Sequence, residues 1–419
     1  MLLMAMVLFF IPQRYKHILN PLFPSADNSK TLTSKTDRSA SNHRENKRRA
    51  PRRDPKEWFA EVRARNPGLE PVWRDVPDHE NGFLQWLAFY QKHQVDGGIG
   101  TGTLGIPADI ADMISHPEKW DSQAVKAFLD ENKDLLETLA RIGLLPSQSV
   151  AGIDLARWDF VGARLPKQCA ELLLADARVA AEAGDFDHAL RQVRAGSGLA
   201  GHFDRIEAPT LLMATVSTIL RLIIHEQVMS HFLPALNGNA GEIARWREAI
   251  QSPNMQPSGF ASILRGEGWV SLGGLVIAWA GGDESFPTDG DALFDAYAQG
   301  YIEAANRAQT LSLDDLLGGE THLGFPIAAG HLSIGAQNLL GEMTGGVSSW
   351  AKGWTRRIVL SARTDAALAI MQGAEIPPEP FTGLPYIYDP IARTLQVPDD
   401  PRLREILKIG APLQLPPAE

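Results

Sequence analysis

The stretch Pro209–Leu233, PTLLMATVSTILRLIIHEQVMSHFL, constrains this chain more than any other. At 1.5 Å per residue it is long enough to cross ~30 Å of hydrocarbon as a helix. Arg221, His225 and Glu226 stand inside it, however, and a central charge costs roughly 2.5–3.5 kcal/mol on insertion scales. The pattern therefore predicts a core helix rather than a membrane span. With 419 residues, 44% of them apolar, the chain has material for one large domain or two small ones around it.

Helical periodicity dominates on both sides of that segment. Lys56–Arg65 reads as a short helix ended by Asn66-Pro67-Gly68, and Gly82–His93 as a second, with Phe83, Trp86, Leu87 and Tyr90 on one face. A third helix is expected from Pro107 to Ile114, and a stronger one from Ser122 to Ile142. Asn239–Gln251 is amphipathic; Ser258–Ala280 is Gly-rich and apolar, the pattern of a central helix with close neighbours. Residues 290–310 and 355–372 supply two more. The Pro-rich run Pro377–Pro385 ends helical structure, Tyr386–Tyr388 with Thr394–Val397 is set up for a short hairpin, and Ala411 onward reads as a tail. The expected fold class is all-α: an irregular multi-helix bundle with a short C-terminal β-hairpin. The expected divisions are an apolar segment at 1–11, a basic linker at 12–55, a helical domain at 56–375 and a C-terminal hairpin and tail at 376–419.

The N-terminus differs from the rest. Met1–Ile11 is an unbroken apolar run, too short to span a bilayer. It suits the core of a signal peptide, yet lacks a positive lead and a small-residue cleavage site. Three readings stay open: a signal or anchor whose true start lies upstream, an interfacial anchor with Arg14 and Lys16 at anionic headgroups, and a tail that merely packs. Membrane contact through residues 1–16, and so a membrane-associated or envelope location, is the favoured expectation; the cytoplasm is the other. Residues 1–60 hold 12 Lys/Arg against 5 Asp/Glu, while the remainder holds 28 against 45. An acidic body repels a phosphate backbone, so nucleic acid is not the expected partner. The patch Arg44–Arg53 has the pattern of a nucleic-acid or nuclear-targeting run but no aromatic to stack a base, and is read as solvated linker.

Chemistry leaves few marks. Gly100–Gly105 formally fits G-x-G-x-x-G, but a polar segment precedes it where a buried strand is needed. His225-Glu226 is followed by His231, six residues on, which puts the two rings on different faces of a helix; no metal site is expected. Ser349–Lys352 fits S-x-x-K without the companion motifs of that enzyme class. Cys169 stands alone and reads as a small buried hydrophobe. No cofactor is expected. The candidate catalytic residue is Glu267, set between two glycines in an apolar helix. It needs either a cationic partner such as Arg221 or Arg194, or a cleft shared with Asp283 or Glu284, where a raised pKa suits acid–base work.

Two resemblances accompany this reading. The stretch ELLLADARVAAEAGDFDHALRQVRAG resembles one tetratricopeptide-type helix pair, with Leu173 and Ala177 on the first helix and Ala189, Val193 and Gly196 on the second. The order of VPDHENGFLQWL at Val76–Leu87, DARVAAEAGDFDHAL at Asp176–Leu190, LAGHFDRIEAPTLLMATV at Leu199–Val216, FASILRGEGWVSL at Phe260–Leu272 and PFTGLPYIYD at Pro380–Asp389 resembles an uncharacterised group of bacterial helical proteins with an N-terminal hydrophobic segment. That resemblance implies architecture and envelope placement, and no activity. The functional expectation is an envelope-anchored scaffold with a protein partner on its helical body; the alternative is an all-helical, hydrolase-like enzyme using Glu267.

Overall fold

The computed structural model describes residues 54–93, 103–153, 163–236, 239–251, 257–280, 290–310, 332–334, 337, 347–407 and 412–416. Met1–Ile11 and residues 12–53 of the expected basic linker lie outside them, while its last residue, Pro55, begins the first helix.

The body is all-α. Helix α1 (Pro55–Arg65) starts where Asp54 accepts the Lys56 N–H, and is followed by α2 (Gly82–Lys92) and α3 (Ala108–Ser115). The long helix expected over Ser122–Ile142 is two, α4 (Ser122–Glu131) and α5 (Lys133–Gly143). Asn132 divides them: its side-chain amide donates to the Phe128 carbonyl at 2.8 Å and its φ of −110° leaves the helical region. Short polar side chains compete with the helix for its own carbonyls, and here the competition ends one.

Helices α6 (Arg164–Glu182) and α7 (Phe186–Asp204) form a hairpin, with Asp185 capping the second through the His188 N–H. The apolar segment becomes α8 (Leu211–Gln227), extended by a π turn at Val228–Phe232 and a 3₁₀ turn at Leu233–Leu236. By length and composition Leu211–Leu236 could cross a membrane, but 67% of its most apolar window is buried inside the protein, as a core helix requires. Around it stand α9 (Ala240–Ile250), α10 (Pro257–Ala280), α11 (Gly290–Ala308) and α12 (Val347–Gln372). Helix α12 begins eight residues before the expected position. Pairs α10–α11, α6–α7, α7–α8 and α5–α7 make the main interfaces.

The C-terminal segment lies on α12. Strands β1 (Ile387–Asp389) and β2 (Thr394–Gln396) pair antiparallel, Tyr388 facing Leu395. The segment expected as a tail contributes a third strand, β3 (Leu413–Gln414), and a short helix α13 (Pro401–Leu407) precedes it. Tyr386, Leu395 and Leu415 bury themselves against Ala366 and Ala367 of α12, and that burial explains why a two-residue strand is held at all.

The closest crossing is α5 on α7. A Cβ on Gly198 would stand 1.7 Å from the Gly143 carbonyl oxygen, and one on Gly143 2.1 Å from the Ala195 oxygen. Two backbones touch there, and nothing flexible can yield. Gly198→Ala should therefore cost about 2–4 kcal/mol in denaturant unfolding. A loss under 1 kcal/mol would mean that the crossing relaxes freely.

Candidate functional site

Glu267 sits in the middle of α10, and its flanking glycines decide what it touches. A Cβ on Gly266 would meet the Pro209 carbonyl oxygen at 2.4 Å; one on Gly268 would meet Tyr301 Cβ at 2.6 Å. Without side chains at these two positions, α10 presses against the turn leading into α8 on one side and against α11 on the other. The carboxylate consequently lies under the first turn of α8. Its Oε2 accepts the Leu211 N–H at 2.9 Å and its Oε1 accepts the Ser271 hydroxyl at 2.9 Å.

Neither expected arginine reaches Glu267. Arg221 turns instead to Asp204, and Arg194 to Glu248 at 3.3 Å. A buried carboxylate needs donors, and the unpaired N–H groups at a helix start, with their positive dipole end, supply hydrogen bonds to it in place of a cation. Burial raises the Glu267 pKa, against the opposing bonds from Leu211 and Ser271. Burial also pushes the Tyr297 and Tyr301 hydroxyls up, and the nearby Glu267 charge adds to it. Asp283 and Glu284 lie outside the described residues.

A second constellation was not read as a unit from the sequence. Asp204, the last residue of α7, receives Arg221 from α8 and Arg357 from α12. Oδ2 accepts from Ser217 Oγ at 2.7 Å, Arg357 Nη2 at 2.6 Å and Arg221 Nε at 3.2 Å, and Oδ1 accepts from Arg221 Nη2 at 3.2 Å. The three charged side chains are 2–4% exposed, so two cations share one anion in the interior. Burial alone would raise the Asp204 carboxyl. Arg221 and Arg357 overcome that and hold it well below the usual carboxylate range. One turn along α8, burial and then the same two guanidiniums push His225 down to about 4. The signal available beforehand was three arginines, Arg221, Arg356 and Arg357, inside apolar helix patterns; charges placed so must be paired.

Beside this cluster, α8, α10 and α12 leave a narrow crevice with about 10 Å³ of free space, room for about one water molecule. Leu211, Ala214, Phe260, Ile263, Trp350 and Trp354 form its walls. Thr215 and Thr218 add hydroxyls, and Thr218 Oγ1 stands 3.5 Å from Arg357 Nη1.

The other marked residues have structural roles or fall outside view. Cys169 is buried, its thiol pushed up by desolvation. His225 is buried near the Ile250 backbone, and among the described residues no cluster of three His, Cys, Asp or Glu side chains is placed to hold a metal. Thr103 and Leu104 bond to Gln168, while Gly100–Gly102 lie outside the described residues. Ser349 and Lys352 fall in the first two turns of α12. No family model matches the chain, and no curated protein or solved structure is significantly similar to it.

Three measurements test this geometry. Asp204→Asn removes the carboxylate charge that both buried guanidiniums contact and should cost about 3–5 kcal/mol of stability; a cost below 1 kcal/mol would show that the cluster is not a brace. Glu267→Ala removes the acceptor of the Leu211 N–H and should cost about 1–3 kcal/mol, whereas Glu267→Gln keeps a carbonyl there and should cost less. If the two cost the same, Glu267 does not act as a cap. The third concerns pH. His202, bonded to the Ile142 carbonyl at 2.9 Å, is also pushed down to about 4 by burial. An unfolded histidine titrates near 6.5, so between these values the unfolded chain binds more protons. Stability due to His202 and His225 is thus full above about pH 6.5 and falls as pH drops toward 4, by about 3 kcal/mol each. Glu267, whose pKa is raised, works in the opposite direction. His202→Gln should flatten the slope of unfolding free energy between pH 6.5 and 4.5 by about one proton; an unchanged slope would remove His202 from the account.

Proposed function

We propose that this protein is a non-catalytic helical scaffold, held at the cell envelope by its N-terminal apolar segment and presenting an acidic body to a protein partner. The observation that carries the reading is the position of Glu267. The one residue whose sequence setting suggested acid–base chemistry has both oxygens engaged, by the Leu211 N–H and the Ser271 hydroxyl, and caps the central helix. A carboxylate spent on holding two helices together is a structural group. The charge division supports the rest: residues 1–60 carry the basic excess and the remaining chain the acidic one, so a negative membrane surface attracts the arm and repels the body. The body then stands off the surface, accessible to partners.

Fractionation tests the anchoring directly. A C-terminally tagged full chain is compared with a version lacking residues 1–55. The full chain should enter the membrane pellet and survive an alkaline wash, and the truncated chain should stay soluble. Equal solubility of both would overturn the envelope reading. For the scaffold itself, Glu267→Gln should complement a deletion strain as well as the wild type does. Failure to complement at unchanged abundance would make Glu267 a chemical group and favour an enzyme.

A further inference from the structure

The C-terminal segment is bonded to itself rather than to the helices beneath it. The Glu379 carboxylate accepts the Phe381 and Thr382 N–H groups at 3.1 and 2.7 Å, and the Thr382 hydroxyl at 2.7 Å. Asp389 accepts the Ile391 and Ala392 N–H groups in the turn from β1 to β2. Arg393 Nε donates to the Pro416 carbonyl at 2.6 Å, and the Leu415 N–H to the Arg393 carbonyl at 2.9 Å. Between described residues, no hydrogen bond or ion pair joins positions 376–416 to the helical body. The contacts that hold the segment down are apolar. Tyr386, Leu395 and Leu415 cluster with Ala366 and Ala367, and Leu403 with Val359 and Leu360, all four seats being on α12. Among the described residues of the segment, Phe381 alone also reaches the main core.

Polar atoms are enclosed at the same joint. Tyr386 Oη, Glu379 Oε1 and Arg363 Nε each lie buried without a hydrogen-bond partner in the protein. Burial pushes the Tyr386 hydroxyl up; the Glu379 charge adds to that and Arg363 opposes it, so the three groups are neighbours. Closing the segment onto α12 desolvates them and gives them no protein partner in return, which cancels part of the apolar gain. A hinge stands where the segment leaves the helix. Gly373 has a φ of +71°, and a Cβ there would meet nothing within 4 Å. Its N–H closes α12 on the Ile370 carbonyl at 3.1 Å, and the exposed Glu375 and Ile376 follow. A few such residues at the end of an element can absorb a rotation of everything beyond them.

We infer that residues 376–416 are a strap that opens from α12 about Gly373 as one unit while the helical body stays folded. Internal bonds keep the strap together, and non-directional apolar contact lets it part from α12 without breaking a hydrogen bond on either side. The open strap bares the α12 face of Val359, Leu360, Ala366 and Ala367. This inference concerns the folded body and does not depend on the envelope reading.

Thiol labelling of the full chain in native buffer tests it, because Cys169, buried in the main core, is an internal control. The thiol introduced by Ala367→Cys, under the sheet, should react at least a hundredfold faster than Cys169. The thiol introduced by Val359→Cys, under α13, should react at about the same rate as that of Ala367→Cys, as one unit requires. Adding Leu395→Ala, which thins the apolar contact, should speed labelling at position 367 at least tenfold and leave Cys169 unchanged. Adding Tyr386→Phe removes a hydroxyl that closing leaves without a protein partner, and should slow labelling at position 367 about threefold. Should Ala367→Cys fail to fold, Ala366→Cys takes its place. The inference is overturned if the introduced thiol reacts as slowly as Cys169, if positions 359 and 367 differ more than tenfold, if Leu395→Ala speeds Cys169 equally, or if Tyr386→Phe fails to slow the reaction.

Discussion

Everything in the centre of this body depends on one carboxylate shared by two guanidiniums. Asp204 ends α7, Arg221 comes from α8 and Arg357 from α12, so three helices meet at a single anion. Apolar packing fixes no register by itself, because one leucine face slides over another at small cost. A buried charge permits no such slippage: displaced by a turn, each of the three groups would lie unpaired in the interior at a cost of several kcal/mol. The arrangement is a poor source of net stability, since desolvation consumes most of the attraction, and a strong source of uniqueness. The apolar length of α8 supplies the stability, and the charges determine where it stops.

Helix ends follow a similar logic on a smaller scale. Asp54, Asn81, Asp121, Asp185, Thr210 and Asn239 each accept an N–H in the first turn of the helix they precede. Among the described residues, only at α8 does a distant side chain join the local cap, Glu267 taking the Leu211 N–H that Thr210 leaves over. That start is buried beneath α10, where water cannot serve it, and so the protein supplies the acceptor from another helix.

Much of the helical order was legible because amphipathic spacing is local. The faces of Gly82–Lys92 and Lys133–Gly143, the turn at Gly184-Asp185 and the enclosed character of α8 and α10 all follow from residues within one element. The glycines around Glu267 announced close neighbours, and the structure places the Pro209 turn and Tyr301 there. What stayed hidden is the identity of partners. That Arg221 needs a carboxylate is readable; that the carboxylate is Asp204, rather than Glu267, depends on how α7 crosses α8. The break at Asn132 was equally out of reach, because asparagine is tolerated within helices and only its bond to Phe128 marks the end. Strand β3 has two residues and no period, and owes its existence to Leu415 finding cover.

The contact between Arg357 and Asp204 joins residues 153 apart in the chain. Closing a loop of that length costs about 4 kcal/mol of chain entropy before any attraction is felt. The α6–α7 hairpin and the step from α7 to α8 need no such closure, so they are the inexpensive part of assembly and α12 the late arrival. Until α12 docks, the Arg357 guanidinium is away from Asp204, and the seam between α8 and α12 is an open apolar face. A nascent chain has to synthesise through residue 357 before that face can close, so the interval of greatest exposure to misassociation is determined by the order of the genes' codons rather than by the strength of any contact.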